Sequence, residues 1–172
     1  MNNFNLICTT SRNLEQEATI EINSILTKLG ESAIIKKAEP SGIIVAKTNK
    51  DPKIIIQELR NIIKDEPWKI RYLKRVIPIE FTVKDINQLL IQIESYKIRI
   101  KENETFRITV KKRFSPISTK ELIVEIAKLI KRQVNLDNPE WIIQIEIINS
   151  MIGASIIRPE HILNVIKEKR GF

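Results

Sequence analysis

The stretch "FRITVKKRFSPISTKELIVEIA", Phe106 to Ala127, decides how the chain is read. Phe106, Ile108 and Val110 alternate with Arg107, Thr109 and Lys111, the period of a half-buried β-strand. A strand ordinarily ends in turn residues, yet here Lys112 and Arg113 extend the charge and Pro116 comes only afterwards. Ser118 and Glu121 have the spacing of a capping box, and Leu122, Ile126, Leu129 and Ile130 recur behind them at helical intervals. Strand, basic loop and helix follow one another. The first helical amides and the positive end of the helix dipole therefore face the same loop as the cations, an arrangement suited to phosphate.

Reading outward, Asp85 caps a helix whose apolar side is Ile86, Leu89, Leu90, Ile93 and Tyr96. "NLDNPE" is a turn, "WIIQIEII" and "MIGASII" are strands, and Pro159 opens a terminal helix carrying Ile162, Leu163 and Ile166 up to Gly171. These elements make an α/β domain over residues 84–172. Upstream, "FNLICT" alternates as a strand, and Leu14, Ala18, Ile22, Ile25, Leu26 and Leu29 form a helix stopped by Gly30. "SAIIKKA" and "GIIVAKT" are strands joined by "EPSG"; Asp51 and Pro52 open a second helix, and a strand runs from Ile77 to Val83. The order βαββαβ predicts a ferredoxin-like domain over residues 1–83. The fold class is thus α+β, a ferredoxin-like domain followed by an α/β domain.

With 172 residues, 42% apolar content and only four glycines, the chain reads as globular and ordered throughout. No apolar run approaches the ~20 residues of a membrane span, and the N-terminus has no signal-peptide pattern, so a cytoplasmic protein with no membrane partner is expected. Cys8 shares a strand face with Phe4 and Leu6 and reads as a core residue.

Chemistry is sparse. His161 is the sole histidine and lies beside Pro159, a poor setting for a catalytic base. Gly30, Gly42, Gly153 and Gly171 are isolated, so no phosphate-binding glycine loop is formed, and Asp51, Asp85 and Asp137 read as caps or turn residues. A non-catalytic module is expected, with no cofactor, metal or small-molecule substrate.

The charge points to the partner. Lys and Arg number 29 against 21 Asp and Glu, a net charge of +8, and most of the excess falls in the second half. A polyanion is the expected ligand. Phosphate contacts at the basic strand end would give affinity without reading sequence. Phe114 either stacks on an unpaired base or packs into the core. Lys97, Arg99, Lys101, Lys120 and Arg158 are further candidates for the same face, and Lys120 opposes the helix dipole in the first turn. "KIRYLKR", Lys69 to Arg75, is a weaker basic stretch, either solvated or an RNA track.

The run "FRITVKKRFSPISTKELIVEIAKLIKRQVNLDNPEWIIQIEII" resembles the THUMP domain, through Phe106, Lys112, Arg113, Ser118, Leu122, Val134, Leu136, Asn138, Pro139 and Glu146 in order and approximate spacing. The preceding half resembles the ferredoxin-like domain that commonly accompanies it. The resemblance implies binding of tRNA at the acceptor stem and single-stranded 3′ end, on behalf of a modification enzyme. Most such proteins carry a thiouridine synthetase, methyltransferase, deaminase or pseudouridine synthase in the same chain, and a chain ending at Phe172 has no room for one. It looks like the enzyme-free type, best known as the adaptor of the RNA acetyltransferase that makes N4-acetylcytidine in tRNA. The alternative is a structural or protein-interaction subunit of another RNA-modification or ribonucleoprotein complex. The RNA-contact positions transferred by resemblance are Lys111, Lys112, Arg113, Ser118 and Lys120; Phe114 joins them as an aromatic, Arg107 and Arg158 on charge alone. Reversal of Lys112 and Arg113 to Glu is expected to leave folding nearly untouched, as exposed substitutions do.

Overall fold

The computed structural model describes residues 3–171. They form two compact units, one holding the residues through Ile79 together with those from Glu160 on, the other Glu80–Pro159. The first unit begins with β1 (Leu6–Thr9), α1 (Glu15–Lys28), β2 (Ile34–Ala38), β3 (Ile43–Lys47), α2 (Pro52–Asp65) and β4 (Arg75–Pro78). Local chemistry sets the ends of its helices. α1 closes in a Schellman motif: Glu31 N–H donates to the Leu26 carbonyl at 2.9 Å and Gly30 N–H to that of Thr27 at 3.0 Å. Gly30 takes φ +72°, a conformation that glycine adopts without penalty. The Asp51 carboxylate accepts from Lys53 N–H at 2.9 Å, and Pro52 occupies the first helical turn of α2.

The sheet of this unit has the order β4-β1-β3-β2 with all neighbours antiparallel, the ferredoxin-like arrangement expected from βαββαβ. Leu6, Cys8, Ile44 and Ala46 on its inner face pack against Ile22, Leu26, Ile55, Leu59 and Ile63 of the two helices. Cys8 is fully buried, and burial pushes its thiol up to about 12, helped by the Glu21 charge, so it stays a protonated core side chain at neutral pH.

The second unit contains β5 (Phe81–Val83), α3 (Ile86–Tyr96), β6 (Thr105–Arg113), α4 (Thr119–Ile130), β7 (Gln133–Val134), β8 (Trp141–Ile148) and β9 (Met151–Ile157). Its sheet runs β5-β9-β8-β6-β7, with β6 parallel to both β7 and β8 and the other pairs antiparallel. Phe106, Ile143, Ile145 and Ile147 on one face pack against Leu89 and Ile93 of α3 and Leu122, Ile126 and Ile130 of α4.

The division differs from the expected one in two places. The strand read as Ile77–Val83 is two strands in different sheets: Ile79 N–H donates to the Asn5 carbonyl at 2.9 Å, whereas the next amide, Glu80, donates to Ala154 at 2.9 Å. Alternation continues across that break because both segments have one buried face, so period alone cannot reveal a change of sheet. The C-terminal segment returns to the first unit. Pro159–His161 makes a single 3-10 turn, β10 (Leu163–Asn164) adds an antiparallel edge to β4, and the α-helix is confined to Val165–Arg170, α5, with the Asn164 side chain capping Lys167 N–H at 3.2 Å.

Candidate nucleic-acid interface

β6 and β8 run parallel, with Arg113 opposite Ile148, so their carboxyl ends finish together. Asn149, in the two-residue turn between β8 and β9, donates its N–H to the Arg113 carbonyl at 3.0 Å and ties that turn to the end of β6. Loop 114–117, the Asn149–Ser150 turn and Lys84, which follows β5, line an open recess of about 450 Å³. Crevices at the carboxyl ends of parallel strands are habitual ligand sites in α/β sheets.

Phe114 forms one wall of the recess and is 74% exposed, so the alternative that it packs into the core does not hold. Its φ of +51° is in the left-handed region, which turns the chain out of the strand direction directly after Arg113. Ser118 caps α4 through its hydroxyl, which accepts from Glu121 N–H at 3.3 Å. The Thr119 and Lys120 amides remain in the open first turn. Lys111, Lys112 and Lys120 have exposed side chains. The Lys112 ammonium spends one donor on the Ile117 carbonyl at 2.8 Å, which fixes the loop and leaves two donors for an anion.

Arg113 stands apart from these lysines. Its Nη1 meets Glu146 Oε2 at 2.8 Å, and Glu146 is fully buried. The other carboxylate oxygen accepts from Gln144 Nε2 at 2.7 Å. Arg113 therefore neutralises a buried carboxylate, and losing it would leave that charge uncompensated. The expectation that reversing Lys112 and Arg113 together spares the fold is thus overturned at Arg113, whose side chain is only 26% exposed.

Arg107 and Arg158 do not join this cluster. Arg107 lies six residues before Arg113, about 20 Å away along an extended strand. It donates from Nη1 to the Leu136 carbonyl at 2.8 Å and braces the turn in which Asn135 Oδ1 accepts from Asp137 and Asn138. Arg158 follows β9, whose Ile157 pairs with Ile142 at the amino end of β8. Its guanidinium bonds Glu104 Oε1 at 2.7 Å and stacks on the Trp141 ring at 4.0 Å from the centroid. Glu104 also takes the Lys101 amide at 2.9 Å and Trp141 Nε1 at 2.7 Å. The Lys101 amide, the Arg158 guanidinium and the indole N–H hold its carboxyl down at about 2, against an opposing effect of burial. Among the other candidates, Lys97 pairs with Glu94 at 2.5 Å, while Arg99 pairs with Glu80 at 2.6 Å and stacks over Tyr96 at 4.4 Å. Lys84, Asn149 and Ser150 escaped the sequence reading. The signal was present as a two-residue turn between alternating apolar runs, but its nearness to the end of β6 required knowing the strand order.

Residues 80–156 match the family model of the THUMP domain. The second unit is a THUMP domain. That match runs from the residue before β5 to the penultimate residue of β9 and so includes the carboxyl ends of β6 and β8. Over 124 residues the chain is 31% identical to an uncharacterized protein of Methanocaldococcus jannaschii, covering 69% of this chain and 34% of that one. Among solved structures, a Pyrococcus horikoshii Ot3 protein superposes with a TM-score of 0.67 at 19% identity, over 91% of this chain and 55% of that one. TrmN from Thermus thermophilus gives 0.58 at 13% identity, over 92% and 47%. A 4-thiouridine synthetase in a complex with RNA and bound ATP gives 0.57 at 14% identity, over 91% and 42%. These likenesses take in both units, the THUMP domain and the ferredoxin-like unit before it. The chain spans about a third of the curated relative and about half of the solved ones.

Proposed function

We propose that this protein is a tRNA-binding adaptor that holds the acceptor stem and 3′ end for a separate RNA-modifying enzyme, the RNA cytidine acetyltransferase being the partner that the resemblance favours. The observation that carries the reading is the recess at the carboxyl ends of β6 and β8, where an exposed aromatic, Phe114, and exposed Lys84 stand on either side of the loop that leads from the basic strand end into α4. Phosphates meet Lys112 and Lys120 together with helix amides, and Lys111 adds charge from the other face of the strand end. Phe114 offers a π-face to an unpaired base, and stacking of this kind tolerates any base. Ser118 and Arg113 act indirectly, Ser118 by capping the helix and Arg113 by anchoring the strand end through Glu146. The RNA-bound state of the 4-thiouridine synthetase, 42% of which the chain matches in fold, supports the same reading.

The test is binding of full-length tRNA against the same tRNA trimmed of its single-stranded 3′ end, at ~50 and ~200 mM salt, the interval over which phosphate contacts weaken steeply. The adaptor reading expects weaker binding on trimming and a steep salt slope. Equal affinity for both RNAs would sink it. Addition of the acetyltransferase to the adaptor–tRNA complex then reads the partner: N4-acetylcytidine formed only with the adaptor present supports this enzyme, and formation independent of it removes it.

A further inference from the structure

The return of the C-terminal segment builds a surface on the first unit that neither part of the sequence displays alone. Residues 67–69 make a short 3-10 turn after α2 that leaves Trp68 60% exposed. The next residues are held by an internal anion: the Glu21 carboxylate of α1 accepts from the amides of Arg71, Tyr72 and Leu73 at 2.6, 3.1 and 3.0 Å. α5 docks on this segment. Val165 N–H donates to the Lys74 carbonyl at 2.9 Å, and Lys169 Nζ reaches the Ile70 carbonyl at 2.6 Å. Lys169 and Arg170 are thereby brought beside Arg71 and Lys74, about a hundred residues earlier in the chain.

Three of the neighbouring acids are already committed. Glu66 pairs with Lys69, Glu168 with Arg60 at 2.9 Å, and Glu21 with the three backbone amides. The Arg71, Lys74 and Arg170 side chains remain exposed, and no ion pair to a carboxylate is found for them among the described residues. Arg71 Nε donates to the Trp68 carbonyl at 3.1 Å, which ties a cation to the backbone of the residue that bears the exposed indole. Cations interleaved with an exposed aromatic on a rigidly held backbone match the chemistry of single-stranded nucleic acid, phosphates on the cations and a base on the ring.

From this geometry we infer that Trp68, Arg71, Lys74, Lys169 and Arg170 form a second RNA-binding surface, one that takes phosphodiester backbone and an unpaired base and is separate in residues from the THUMP strand end. The inference rests on RNA being the ligand, as proposed above. It assigns the stretch Lys69–Arg75 to an RNA track in place of a merely solvated strand.

The experiment measures binding of unfractionated tRNA to the full chain at ~50 and ~200 mM salt. It compares wild type, Arg71→Gln with Lys74→Gln and Arg170→Gln, Trp68→Phe, and Lys111→Gln with Lys112→Gln, each checked by thermal melting. The triple variant is expected to bind about tenfold more weakly at low salt and to lower the log–log salt slope by about 2, the loss of two to three phosphate contacts. RNA is expected to quench tryptophan emission, and Trp68→Phe to remove most of that quench. Wild-type affinity and slope in the triple variant, with loss of both in the Lys111/Lys112 variant, would overturn the second surface and leave the adaptor reading standing. The reverse pattern would keep the second surface and remove the strand-end site, and no loss in either would overturn both.

Discussion

The two ends of β6 carry similar residues and put them to opposite uses. At the amino end, Arg107 and Arg158 are drawn inward, onto the Leu136 carbonyl, the Glu104 carboxylate and the Trp141 ring. At the carboxyl end, Lys111 and Lys112 stay exposed, and Arg113 turns back to a carboxylate. Charge counting cannot separate these cases. The deciding factor is whether an acid or a carbonyl lies within reach in the folded chain, because a guanidinium beside a buried carboxylate is held there by the cost of leaving that carboxylate alone.

The contrast is broken most directly at Arg113. Arg113→Ala is expected to destabilise the fold by about 3 kcal/mol, since it strands the buried Glu146 charge. Urea unfolding checks this, and a loss below about 0.5 kcal/mol would place Arg113 with the solvated lysines. The next largest effect falls on binding. Lys111→Glu with Lys112→Glu should weaken tRNA binding tenfold or more while the melting temperature stays within a few degrees, and Arg107→Gln with Arg158→Gln should do the converse. A binding titration and a melt on each pair decide between the two ends.

Phe114→Ala sharpens the comparison further. Loss of one stacked base costs about 1–3 kcal/mol, so binding to a single-stranded 3′ end should fall while stability is unchanged, because the ring is already exposed. Unchanged affinity would reduce the recess to an electrostatic site. The smallest effect concerns the amino end. The Glu104 carboxyl is held down at about 2, below its usual value near 4.5, so what it contributes to stability is fully present above that usual value and is lost as pH falls toward 2. Melting of wild type against Glu104→Gln should therefore differ at pH 6 and converge near pH 2, and a constant difference would exclude the linkage.

Much of the fold was legible because its signals are local. Asp51, Asp85 and Ser118 each cap the helix that the sequence assigns to them, with carboxylate or hydroxyl oxygens accepting from Lys53, Gln88 and Glu121 amides. The site was legible only in outline. Of the residues singled out in the sequence, Phe114 lines the recess, whereas Lys84, Asn149 and Ser150 enter through strand order, which leaves no trace in a periodic pattern.

The sequence by itself determined the identity and order of the main elements, their caps and the excess of positive charge, since these depend on hydrogen bonds and apolar periods spanning a few residues. Only the tertiary structure decided which cations are available to a ligand. Arg113, Arg107 and Arg158 became internal partners, the chain changed sheets between Ile79 and Glu80, and the last residues returned to β4. Those outcomes depend on neighbours tens of residues away, whose electrostatic and packing energies act through space and not along the chain.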